Sequence, residues 1–341
     1  MMFISAAASE ANCFRCPRIR HVYSEIARNK RRSVVFIVVF FLIWMGVGAV
    51  CGLLFAAFYH PVNPTTGAVT RTGDSPIFVG IVLFAVLAFF GFLYSIRSGA
   101  SLVLRVSRAR PANQAQYRQL YDLVSALAIG EGIPAPAIYV IDDPSPNAFA
   151  TGVSPDKASI TFTTGLLQIM NREELEGVIG HEMSHIKNHD IRLLLVVGTM
   201  IGMAALLASV LWRSAFFAGM GRGGRNSGVL ILVVVFAGAL LAIVGFLVGP
   251  LIRLALSRRR ESLADVSGVE LTRNPAGLLS ALRKLQQNDK PFANFNHATA
   301  AMCIDDPLQH HETWYHHLYD THPPIEERIA DLEKIASGQS V

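Results

Sequence analysis

Between Asn171 and Asp190 the chain reads NREELEGVIGHEMSHIKNHD, and within it His181, Glu182 and His185 form the pattern H-E-x-x-H. On a helix a spacing of four sets two imidazoles on one face about one turn apart, where two nitrogens can grip a single Zn2+ at about 2.0–2.1 Å. Glu182 adjoins the first histidine and can reach a water activated by that metal, which is the arrangement of a hydrolytic centre with a carboxylate base. The helix is announced locally, because Asn171 followed three residues later by Glu174 makes a capping-box start. Two solvated histidines on a polar helix face would be the plainer reading, and the cap and helix context count against it.

A catalytic zinc usually has three protein ligands and one open position. His189 extends the stripe but stands another turn along, so it reads as a surface residue. The longer pattern H-E-x-x-H-x-x-G-x-x-H is absent, since Asn188 and Ile191 occupy its Gly and final His positions. Glu261, in SRRRESLADVSG, is the better third ligand, its alternative being an ion pair with Arg258–Arg260. Asp265 lies one turn beyond Glu261 on the same helix face, where a carboxylate can accept the free ring N–H of a zinc-bound histidine.

What brings residue 261 to residue 185 is the hydropathy pattern. The 341 residues are 52% hydrophobic and only 16% charged, against about 25% in an ordinary soluble domain. Four windows carry no Asp, Glu, Lys or Arg: residues 34–58, 77–96, 193–212 and 229–252. Each reaches the roughly 20 residues a helix needs to cross a hydrocarbon core. Outside them about 22% of residues are charged, a soluble composition. His185 precedes the third window by eight residues and Glu261 follows the fourth by nine. At 1.5 Å per helical residue the two stand about 12 and about 13.5 Å above one membrane boundary. A hairpin of spans thus returns the third ligand to the first two.

The predicted organisation is a basic tail (1–33), spans 34–58 and 77–96, a polar segment 97–192 with the H-E-x-x-H helix, spans 193–212 and 229–252, and a polar segment 253–341. Basic clusters flank the spans (Arg28, Lys30, Arg31, Arg32; Arg253, Arg258, Arg259, Arg260), placing both termini and both polar segments in the cytoplasm. Arg213, Arg222 and Arg225 would then lie outside, which leaves a shallow, non-spanning hairpin open for the last pair. The net charge of +5 follows from these flanks, and no nucleic-acid motif accompanies it. The first window is too long for a signal-peptide core, so it reads as an uncleaved anchor. Cys13 and Cys16 form a lone C-x-x-C with no second pair to complete a zinc site, and they read as reduced thiols. Five histidines between His297 and His317 have no element to fix a ligand spacing. In the first polar segment the periodicity predicts a helix over residues 114–129 ending at Gly130. It also predicts a strand over 137–141 and a hairpin of 147–153 with 158–163.

The motifs PNAFATG (Pro146–Gly152), HEMSHIKNHD (His181–Asp190), RRRESLADVSG (Arg258–Gly268) after an apolar hairpin, and THPPIEERI (Thr321–Ile329) give the sequence a close resemblance to the HtpX-type membrane zinc metalloproteases, relatives of the CAAX prenyl proteases. The resemblance covers roughly residues 30–336. It implies one Zn2+ per chain on His181, His185 and Glu261, with Glu182 catalytic. It also implies a substrate groove bordered by the strand of Asn147, Ala148, Phe149, Ala150 and Thr151, in keeping with peptides adding as strands to exposed edges. His322 either steadies an oxyanion or belongs to a helix start built on Pro323 and Pro324. His189, where the family commonly has a basic residue, and the longer Cys-containing tail are departures.

The expected molecule is therefore an α-helical membrane anchor of four spans carrying a cytoplasmic α+β zincin-like protease domain. It would sit in a bacterial inner membrane and hydrolyse misfolded or damaged membrane proteins, in quality control and stress response. A prenyl-peptide protease and a non-catalytic zinc-binding scaffold are the alternatives. Four spans leave little room for a prenyl chain, and a scaffold would not need Glu182.

Overall fold

A long uncharged run satisfies its backbone only by closing hydrogen bonds within itself, as a helix does. The computed structural model describes residues 17–59, 65–66, 73–220, 228, 231–243, 258–287 and 325–337. Helices α1 (Pro17–Phe58) and α2 (Ser75–Val106) contain the first two windows. Within them Ile37–Ala57 and Ser75–Val106 are long and apolar enough to cross a membrane. Helix α1 begins well before the expected tail boundary at residue 33, because RHVYSEIARNKRR contains neither Gly nor Pro to stop it. The tail cysteines, His322 and the histidines of 297–317 lie outside the described residues.

Then follow β1 (Arg110–Pro111), α3 (Arg118–Glu131), β2 (Ala137–Ile141), β3 (Ala148–Thr151), β4 (Ser159–Thr163), α4 (Thr164–Ile169), α5 (Arg172–Lys187) and α6 (Asp190–Met220). A shorter apolar helix α7 (Ile231–Ile243) precedes α8 (Arg258–Thr272), α9 (Pro275–Gln286) and α10 (Ile325–Ala336). The strands form one sheet in the order β1-β2-β4-β3. The expected hairpin is present, with Ala148 opposite Phe162 and Thr151 opposite Ser159. Strand β4 also pairs in parallel with β2, which the local pattern does not reveal. Helix α3 starts four residues later than its periodicity suggests, because the Asn113 side chain accepts the Ala115 N–H and holds the preceding residues in a turn. It ends at Gly132 rather than Gly130, since Gly132 takes the left-handed conformation (φ 69°) that closes a helix.

Helices α1 and α2 meet backbone to backbone. Gly48 and Gly52, a G-x-x-x-G pair on α1, face Gly80 and the Pro76 main chain of α2, where any Cβ would overlap a carbonyl. Trp44 fills the gap between Phe40 and Phe84, with ring centroids at 5.7 and 6.1 Å. On the other side of α2, Gly91, Ser95 and Gly99 admit Met203, Thr199 and Leu195 of α6, and the buried Ser95 and Thr199 hydroxyls share a hydrogen bond. Helix α6 therefore runs alongside α2, and it continues to Met220, past the end of the third uncharged window at residue 212. The outward faces carry large apolar side chains, among them Leu42, Phe78 and Phe90, each at least 60% exposed.

Two cores result. One lies between the sheet and helices α3, α5, α9 and α10, around Phe162, Ile179, Met183, Leu278 and Leu332. The other joins α1, α2, α6 and α7 and includes Ile141 and Phe149 from the sheet. Helix α5 is capped as expected: Asn171 accepts the Glu174 N–H and Glu174 accepts the Asn171 N–H. The Glu174 carboxylate also takes Lys284 at 2.7 Å and Ser280 at 2.6 Å, pinning α9 to the start of α5. Helix α8 crosses α5 antiparallel at Gly180 and Gly268, where a Cβ on Gly268 would sit 2.8 Å from the His181 nitrogen.

Two outcomes follow for detergent-solubilised protein. Gly268→Ala forces α8 away from α5 and should cost about 1–3 kcal/mol, read as a fall in melting temperature. Burial pushes the Glu174 carboxyl up, but Lys284, Ser280 and the Asn171 N–H outweigh it and hold it below the usual carboxylate range. Its stabilisation is thus complete above the ordinary carboxylate pKa and lost as pH falls through the lowered one. The melting difference between wild type and Glu174→Gln should accordingly shrink in acid.

Candidate metal centre

The antiparallel crossing sets Asp265 and Glu261, each one turn apart on α8, against His181 and His185, one turn apart on α5. Nε2 of His181 and Nε2 of His185 are 3.2 Å apart. Oε2 of Glu261 is 3.6 Å from the first and Oε1 is 3.6 Å from the second. Two ligands bound tetrahedrally at about 2.0–2.1 Å stand about 3.3 Å apart, so this triangle has the dimensions of one face of a zinc tetrahedron. Among the described residues, His181, His185 and Glu261 are the group able to hold a metal, with all donor atoms within 4.8 Å.

The other ring nitrogens are engaged as well. Nδ1 of His181 lies 2.8 Å from Oδ1 of Asp265, as expected of that carboxylate. Arg328 grips Asp265 with both Nε and Nη2, at 3.0 and 2.7 Å. Nδ1 of His185 lies 3.3 Å from Oδ2 of Asp190, whose other oxygen is 3.3 Å from Nη1 of Arg260. Each imidazole thus has its Nδ1 beside a carboxylate and its Nε2 facing the shared centre. All of these groups are buried, and Glu261 is wholly so.

Charge is distributed unevenly over the two histidines. Burial, aided by the Arg328 charge, pushes His181 down to about 4 against the pull of Asp265. Burial also pushes His185 down, but the carboxylates of Glu261, Asp190 and Glu182 outweigh it and lift His185 to about 9. Asp265 is pushed up by burial and then held below the ordinary value by Arg328 and His181. A buried centre in which three carboxylates bear on one imidazole is electrostatically matched to a cation. Glu182 is buried on the same helix and close enough to contribute to that field.

Asp190, Arg260 and Arg328 carry no site role in the sequence reading. Arg260 had served as a topology signal and as an alternative partner for Glu261, yet it is buried and engaged by Asp190. His189 is half-buried rather than a plain surface residue, and its backbone is left-handed at φ 59°. Strand β3 is the sheet edge next to β4 and packs on α5. Residues Asn147, Ala148, Phe149, Ala150 and Thr151 are all buried, so the strand expected to border the groove is covered.

Residues 114–336 match the family model described as peptidase family M48. The chain is 38% identical over 318 residues to a protease HtpX homolog of Lactobacillus helveticus, covering 92% of this chain and all of that protein. It is 38% identical over 321 residues to a protease HtpX homolog of Streptococcus mutans, with the same coverage. Among solved structures, the crystal structure of S. mikatae Ste24p aligns with 91% of this chain and 67% of its own, at 17% identity and a TM-score of 0.45. With a match over residues 114–336 and relatives alike over their whole length, the chain belongs to peptidase family M48 and is a metallopeptidase.

Proposed function

We propose that this metallopeptidase is a membrane-embedded zinc endopeptidase that cleaves misfolded or damaged membrane proteins. The observation that carries the reading is the 3.2 to 3.6 Å triangle of His181, His185 and Glu261 beside a buried Glu182. One zinc per chain would be held by those three residues. Bound there, the metal supplies Lewis acidity to the scissile carbonyl and to the attacking water. Glu182 takes the proton from that water and returns it to the leaving amine, one residue serving as base and then as acid. Asp265, fixed by Arg328, keeps the His181 ring in the tautomer whose Nε2 can bind metal. Peptide enters as a strand along Asn147–Thr151, once that edge is uncovered.

The membrane setting rests on two helices with large apolar side chains turned outward, and on α6, which leaves the metal helix and runs beside α2. All four windows cross, with both termini and the centre on the cytoplasmic face of a bacterial inner membrane. The centre then stands close to the bilayer surface, where damaged membrane proteins expose their loops.

Purified wild type and Glu182→Gln should carry equal zinc, about one per chain, while cleavage of an unfolded reporter falls by about 10²–10⁴ in the variant. Undiminished cleavage by Glu182→Gln would sink the mechanism. His181→Ala and Glu261→Ala should lose the copurifying metal, measured by elemental analysis. Asp265→Asn should bind zinc about 10–100-fold more weakly.

A further inference from the structure

In an unbroken α-helix the residue five positions on stands about 140° around the axis. Asp190 would then point away from His185. Instead its carboxylate lies 3.3 Å from the His185 ring. What turns it back is a break between α5 and α6. Asn188 closes α5 by donating its N–H to the Ser184 carbonyl, and His189 adopts φ 59°, a conformation that residues with side chains seldom take. The next residue, Asp190, opens α6 with its carboxylate facing the metal helix. Arg260, in the first turn of α8 and one residue before Glu261, holds the other oxygen of Asp190.

We propose that Asp190 and Arg260 are positioning residues for the metal ligand His185, brought to it by the left-handed backbone of His189. The proposal rests on the zinc reading above. It is the counterpart of Asp265 and Arg328 acting on His181, but with a different connection to the fold. Asp190 is the first residue of the helix that leaves the centre alongside α2, and Arg260 belongs to the helix that returns the third ligand. The same ion pair therefore orients one imidazole and ties the start of α6 to the start of α8.

The test uses the full-length protein in detergent and zinc alone, titrated against a chromophoric chelator. Asp190→Asn should weaken zinc binding about 10–100-fold and shift the visible bands of the Co2+-loaded protein, since one imidazole is no longer fixed. Arg260→Met should weaken it too, and the double variant should match Asp190→Asn within about twofold, because the two act as one unit. Affinity of Asp190→Asn within about twofold of wild type, or losses that simply multiply in the double variant, overturns the proposal. Should Asp190→Asn fail to fold, the His189 variants decide. Glycine accepts the left-handed backbone and valine does not. His189→Val should therefore bind zinc roughly tenfold more weakly than His189→Gly, and equal affinities overturn the proposal. Wild type that binds no zinc removes the metal reading itself, a result separate from any difference among the variants.

Discussion

A carboxylate removed from water costs several kcal/mol unless positive charge or donors answer it. Glu261 is fully buried between two imidazoles, and the rest of the site is organised around that constraint. The glycine crossing of α5 and α8 brings the carboxylate and the rings together at that spacing. Two aspartates hold the far sides of the rings, and two buried arginines compensate the aspartates. Each layer of charge calls for the next, so the centre draws on residues spread over helices α5, α6, α8 and α10.

The two histidines are not equivalent. Arg328 bears on His181 directly, with Nη2 3.3 Å from its Nδ1 as well as on Asp265, whereas His185 looks toward carboxylates. Such an arrangement favours the neutral form of one ring and the charged form of the other. A metal held there would need both rings neutral, so it would act against the charge on His185.

How much of this was legible in the sequence depends on whether the signal was local. The H-E-x-x-H helix and its capping box are written within twenty residues, and both are seen. Glu261 became legible because two apolar windows imply a return to the starting side. The heights that supported it assumed an unbroken helix beyond His185, and the break at His189 shows that the juxtaposition survives without it. Asp190 was hidden by helical phase, since five residues is the wrong spacing until a left-handed residue intervenes. Arg260 was hidden because a basic residue beside an apolar run is first a topology signal. Arg328 was hidden by distance along the chain, and the parallel β2–β4 pair by having no turn to announce it.

That distance has a consequence for synthesis. His181, Glu261 and Arg328 all belong to the centre, and the last lies 147 residues beyond the first. At about 5–20 residues per second, a ribosome needs on the order of 10 s to pass from the first to the last of them. Throughout that interval the motif helix has emerged but its aspartate clamp has not. Until then Asp265 lacks the guanidinium that holds it in the finished fold, so the His181 side of the centre is the last to be completed.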